Sequence, residues 1–196
     1  MGDLTELAQK WHTDKVISEK EFSHDYIHVY EHLLKDKPVR KVMEIGLGWP
    51  GLMHRAYEAG ASLRMWAEYF PEAEVYGLDI RPDALVNEGR IHSYLCDQSN
   101  IGSLLNAKLS VGENFDLIVD DGSHIPYDQA LTASVFVPLL SETGIYVIED
   151  VYPGKATETL LGTYSLNFEV IECRLDRVEN DRLILMERQS CLRGKS

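Results

Sequence analysis

Acidic residues close two hydrophobic runs of this chain. Phe115-Asp116-Leu117-Ile118-Val119 leads into Asp120-Asp121-Gly122-Ser123-His124, and about 28 residues later Ile145-Tyr146-Val147-Ile148 leads into Glu149-Asp150. In an α/β sheet that interval is one crossover unit, a loop, a helix and the next parallel strand. The two acidic ends then meet at the carboxyl edge of the sheet, where such folds bind ligands. Side chains alternate along a strand, so Asp120 and Asp121 point to opposite faces. Asp121 and His124, three apart at a strand-to-helix turn, can share one cleft. A backbone turn at the next strand terminus lets Glu149 and Asp150 converge on the same cleft.

Asp121, Glu149 and Asp150 form an all-oxygen donor set suited to Mg²⁺, Ca²⁺ or Mn²⁺. No second histidine or cysteine accompanies them, which disfavours zinc. Two neighbouring hydroxyls of a substrate can replace water on such an ion, which makes one of them more acidic. Neutral His124 then takes that proton as general base. The plainer reading is a row of acids capping helices, with His124 hydrogen-bonded locally. Four suitable residues on adjacent strand ends favour the metal site.

A second set of residues points to a nucleotide. Glu44-Ile45-Gly46-Leu47-Gly48 closes an earlier hydrophobic run, and glycines there let the backbone approach a ligand. Gly46, Gly48 and Gly51 satisfy the dinucleotide spacing G-x-G-x-x-G, but Trp49-Pro50 fills the turn and the next helix starts near Gly60. Asp79 ends the following run, the position from which an acid grips ribose hydroxyls. Asp97, in Cys96-Asp97-Gln98-Ser99, is placed to reach an adenine amino group. Each acid alone reads equally as a strand-closing polar residue or a helix cap.

The elements that must hold these residues are legible as alternating patterns. Tyr26, Val29, Tyr30, Leu33 and Leu34 repeat at helical steps within an amino-terminal region that is helical in pattern. Strands are expected at 41–45, 74–80, 90–96, 115–119 and 145–148, and helices at 62–70, 101–109 and 127–140. A short helix follows Pro153. Two final strands, 168–175 and 182–188, are joined by Val178-Glu179-Asn180-Asp181, too short a link for a helical crossover, so they pair antiparallel. The expectation is one α/β unit, a doubly wound, Rossmann-like, mostly parallel sheet, with residues 1–40 as a helical segment over the cleft and 41–196 as the ligand-binding domain.

At 196 residues the chain can bury a sizeable core. Its net charge of −13 argues against a phosphate-tracking surface and is compatible with a cationic small substrate. No apolar run approaches the ~20 residues of a membrane span. The polar start is no secretory signal, and three scattered cysteines read as reduced thiols, so a cytoplasmic location is expected.

These residues resemble those of class I S-adenosylmethionine-dependent methyltransferases, and more narrowly the metal-dependent sugar O-methyltransferases of macrolide and other antibiotic biosynthesis. The matching stretches are His12-Thr13-Asp14-Lys15, Tyr26 to Tyr30, Glu44 to Gly48, Ala61 to Trp66, Tyr76 to Ile80, Cys96 to Ser99, Asp120 to His124 and Ile148-Glu149-Asp150. The resemblance implies a seven-stranded sheet with an antiparallel last strand. It implies Asp121, Glu149 and Asp150 as Mg²⁺ ligands and His124 as the base. For S-adenosylmethionine it implies Glu44 and Gly46 at the methionine end, Ser62 nearby, Asp79 on the ribose and Asp97 and Gln98 around the adenine, with Asp121 bordering the cofactor. The acceptor implied is a small-molecule glycoside or amino sugar, with no nucleic acid or membrane partner. Lys15, His24, Tyr26 and Tyr30 are candidates to touch cofactor or substrate, as are His54 and Tyr57, and homo-oligomerisation through the amino-terminal segment stays open. His12 stands where the family has glycine, and Trp49-Pro50-Gly51 is an unusual loop, so the acceptor is left open. Two other readings are an NAD-dependent oxidoreductase, from the glycine triplet, and a methyltransferase-like binding module without turnover.

Overall fold

A computed structural model describes residues 3–16, 24–49, 58–173 and 181–188. Gly51, His54, Tyr57 and the turn residues Val178, Glu179 and Asn180 lie outside the described residues, as does the end of the strand expected at 168–175. Seven strands form one sheet: β1 (Lys41–Ile45), β2 (Glu74–Asp79), β3 (Ile91–Leu95), β4 (Phe115–Asp120), β5 (Leu140–Ile148), β6 (Glu169–Glu172) and β7 (Arg182–Glu187). Their order is β3-β2-β1-β4-β5-β7-β6. Strands β1 to β5 pair parallel, and β7 pairs antiparallel with both β5 and β6. The chain steps outward from β1 to β3 and resumes on the other side at β4. The carboxyl ends of β1 and β4 therefore flank the switch point where ligands bind in such sheets.

Register brings the acidic ends level. Ile45 lies opposite Asp120, and Asp120 opposite Ile148, so Asp121 and Glu149 leave the sheet side by side. Alternation sorts the core into two layers. Leu117, Val119, Ile145 and Val147 join α1 (Leu4–Trp11), α2 (Ile27–Leu34) and α3 (Ala61–Tyr69) on one face. Ile118, Tyr146 and Ile148 join α4 (Ile101–Val111), α5 (Pro126–Phe136) and α6 (Ala156–Thr163) on the other. Asp3 and Asn100 cap α1 and α4 through their side chains.

Most boundaries fall within a residue or two of the sequence expectation, and the two larger differences have physical reasons. Helix α5 ends at Phe136, not Leu140, because Pro138 lacks the N–H to continue it and a tighter turn spans Val137–Leu139. Strand β5 starts at Leu140, paired with Phe115, although its first residues are polar; an irregularity between Phe115 and Leu117 accommodates them. Among the described residues, no helix is long and apolar enough to cross a membrane.

Candidate active site

The carboxyl ends of β1, β4 and β5 deliver Glu44, Asp121 and Glu149. Gly46 leaves β1 with φ +86°, and a Cβ there would lie 2.0 Å from the Asp121 carbonyl oxygen, so only glycine lets β1 and β4 close up. At Gly122 a Cβ would meet the Gln98 side-chain amide, with Oε1 at 2.2 Å, a flexible neighbour that can give way where the backbone opposite Gly46 cannot. His124 and Asp150 both adopt left-handed backbone (φ 56° and 53°), a conformation that non-glycine residues keep only where the surroundings enforce it. That turn at Asp150 is what lets successive residues of one strand end serve one neighbourhood.

A cavity of about 580 Å³ opens along this edge. Its wall includes Glu44, Gly46, Ser62, Asp79, Asp97, Gln98, Asp121 and His124, together with Asp14 from the amino-terminal segment. Asp79 accepts from the Leu47 and Arg81 backbone N–H groups, both at 2.8 Å, which fixes its carboxylate at the wall. Asp97 accepts from Ser99 N and Oγ and so shapes the turn before α4. Gln98 donates to Asp120 at 2.6 Å and accepts from Ser123 N at 2.8 Å, tying the β3 end to the β4 end. Arg81 stacks over the Trp49 ring at 4.1 Å on the same wall. Gly46 and Gly48 both take positive φ (86° and 68°), Gly51 lies outside the described residues, and the next described helix, α3, begins at Ala61.

Ligand atoms of Asp121, His124 and Asp150 all lie within 4.8 Å of one another, close enough to hold one metal ion. His124 Nε2 is 3.3 Å from Asp121 Oδ1 and 3.5 Å from Asp150 Oδ2. Glu149 is engaged elsewhere: its Oε2 lies 2.6 Å from Lys15 Nζ and its Oε1 accepts from the Tyr30 hydroxyl. Asp150 accepts from Tyr26 Oη at 2.7 Å and faces His24 Nε2 at 3.3 Å. Glu44 accepts from Trp66 Nε1 at 2.7 Å. Asp120, directed away from Asp121, is fully buried and accepts from Gln98 and from Tyr146 Oη at 3.0 Å.

Burial and charge divide the titrations of these groups. Burial lifts Asp120 to about 7 and Asp14 to about 6, the latter with help from Asp121. Burial also raises Glu44, Glu149 and Asp150. At Asp121 burial works upward too, but Lys15 and His124 overcome it and hold the carboxyl well below its usual range. Burial works to neutralise His124, yet Asp121, Asp150 and Asp120 raise it to about 9.

Lys15, His24, Tyr26 and Tyr30, read from sequence as candidates to touch cofactor or substrate, contact the carboxylates of this edge. The Trp66–Glu44 and Gln98–Asp120–Tyr146 links have no signal in the sequence pattern; β3 and β4 are separated in the sheet by β2 and β1, so no strand register relates Gln98 to Asp120.

No protein-family model matches the chain. A tetracenomycin rhamnosyl 3'-O-methyltransferase from Streptomyces olivaceus is 34% identical over 175 residues, which is 84% of this chain and 43% of that protein. The mycinamicin VI 2''-O-methyltransferase of Micromonospora griseorubida is 33% identical over 76% of this chain and 36% of its own length. The solved MycE methyltransferase in complex with Mg and SAH superposes with TM-score 0.74 at 26% identity, covering 100% of this chain and 57% of that one. The chain is a relative of the antibiotic sugar O-methyltransferases. Like MycE, this methyltransferase relative has the class I S-adenosylmethionine-dependent fold. It spans less than half the length of the curated relatives it matches.

Proposed function

We propose that the chain transfers a methyl group from S-adenosylmethionine to a sugar hydroxyl of a small natural product, with Mg²⁺ bound at the acidic edge. The observation that carries this is the meeting of Asp121, His124 and Asp150 at the edge of a cavity that extends past Glu44 to Asp79 and Asp97. A solved relative binds Mg, SAH and mycinamycin VI together, which supports the same ligand classes here.

In this reading Glu44, Gly46 and Ser62 receive the methionine end of the cofactor, Asp79 its ribose, and Asp97 and Gln98 its adenine. Asp121 and Asp150 would hold the ion, joined by Glu149 where it exchanges Lys15 for the ion, and the described part of residues 1–40 would cover the cleft. The donor chemistry fits, because carboxylate oxygens dominate and, among the described residues, no cysteine joins the cluster. A bound divalent ion supplies Lewis acidity that makes a sugar hydroxyl a better acid. His124 would accept the hydroxyl proton on Nδ1, the ring nitrogen outside that contact, while Nε2–H donates to Asp121 Oδ1 at 3.3 Å and so orients the ring. The freed alkoxide oxygen forms its bond to the methyl carbon as the carbon–sulfur bond breaks, leaving a neutral thioether. The carboxylates take part in no covalent step; they fix reacting atoms at attack distance.

Incubation with labelled methyl donor and a panel of deoxysugar glycosides tests the reading. Methylation should appear with Mg²⁺ and vanish in EDTA. His124→Ala should lose roughly 10²–10⁴-fold in kcat while retaining S-adenosylhomocysteine binding. Full turnover in EDTA sinks the metal proposal, and full turnover by His124→Ala removes the histidine from the mechanism.

A further inference from the structure

Lys15 stands at the centre of the acidic edge. Its Nζ lies 2.6 Å from Glu149 Oε2, 2.8 Å from Asp121 Oδ2 and 3.2 Å from Glu44 Oε1, and its side chain is 0% exposed. One ammonium, with three protons to donate, thus serves three carboxylates from the ends of β1, β4 and β5. Its backbone is anchored as well, since Lys15 O accepts from Tyr26 N and Ile27 N at 3.1 Å each. The ammonium is absent from the cavity wall, whereas Glu44 and Asp121 belong to it.

Buried carboxylates need a counter-charge. Here the chain provides one of its own, on two of the carboxylates to which the divalent ion is assigned. A dication drawn to Asp121 and Glu149 meets the ammonium within a few ångströms, in surroundings that screen repulsion far less than water does. We propose that Lys15 is a resident counter-ion that competes with the divalent cation for Asp121 and Glu149, and thereby sets how tightly the site binds it. The inference rests on the metal role proposed for those two residues. Lys15 is a positioning residue, acting through the carboxylates it holds.

A competitor and a prop predict opposite signs. Loss of a prop loosens the carboxylates and weakens metal binding, whereas loss of a competitor tightens it. Calorimetric titration of Mg²⁺ into the unmutated protein, Lys15→Met and Lys15→Arg separates the two. Lys15→Met should bind Mg²⁺ about tenfold or more tightly than the unmutated protein, and Lys15→Arg, which keeps the charge, should show no gain. Equal or weaker binding by Lys15→Met overturns the competition while leaving the metal site standing. Absence of Mg²⁺ binding in both the unmutated protein and Lys15→Met overturns the site and the competition together. Because Lys15→Met strands three buried carboxylates, its circular dichroism is followed across the same Mg²⁺ series. A native spectrum recovered by Mg²⁺ supports the competition, since the dication then takes over the ammonium's role. A chain that stays unfolded at every Mg²⁺ concentration overturns it.

Discussion

Burial alone would favour a neutral His124 ring, but the hydrogen bond and charge of Asp121, with Asp150 and Asp120 behind it, lift the ring to about 9. A ring that holds its proton at pH 7 cannot accept another, so a general base at this position needs those carboxylates offset. Positive charge at Asp121 and Asp150 does that. Histidine resonances followed by NMR should titrate near 9 for His124 in EDTA and clearly lower with saturating Mg²⁺. An unchanged midpoint would place the ion away from this ring. The stability linkage has a definite sign. A folded pKa above the ordinary 6.5 gives a contribution that is complete below about 6.5 and is lost as pH rises through about 9. In EDTA, the difference in unfolding free energy between the unmutated protein and His124→Gln should therefore shrink over that window. A constant difference contradicts the shift.

The β1–β4 approach rests on Gly46, where φ is +86° and a Cβ would collide with the Asp121 carbonyl. Gly46→Ala should destabilise the fold by about 2 kcal/mol or more, combining backbone strain with displacement of the Asp121 strand end. Chemical denaturation measures this, and an unchanged midpoint would show that the two ends are not packed as described. Hydrophobic runs make the strands legible, and their acidic ends mark Asp121, Glu149 and Asp150 as one neighbourhood in the sequence itself. Pro138 could have signalled the end of α5, since proline breaks a helix wherever it falls inside one. The start of β5 is illegible because Ser141-Glu142-Thr143 carry no alternating pattern, and the strand reaches back past them only through Leu140, which pairs with Phe115. Lys15 was harder still. Its partners lie 106 and 134 positions away, and no local periodicity encodes an ammonium threaded among three strand ends.

Over the whole molecule, 32 acidic residues face 19 basic ones, and several of the acids gather at a single cavity. Low-dielectric walls lined by one sign of charge concentrate the field at the mouth and raise the local concentration of counter-charged solutes. Under the proposed function, and with the acids outnumbering Arg81 and His124 on that wall, an acceptor bearing an amino sugar should be captured faster than a neutral glycoside of the same shape. Salt separates steering from contact. Raising ionic strength from about 0.01 M to about 1 M shortens the screening length from roughly 30 Å to roughly 3 Å. With Mg²⁺ held saturating, kcat/KM for the cationic acceptor should fall about tenfold or more across that range, while kcat stays level. The neutral acceptor should vary by no more than about twofold, since it gains nothing from the field. Parallel salt slopes for the two acceptors would mean that the acidic balance keeps the protein soluble and does not select what it methylates.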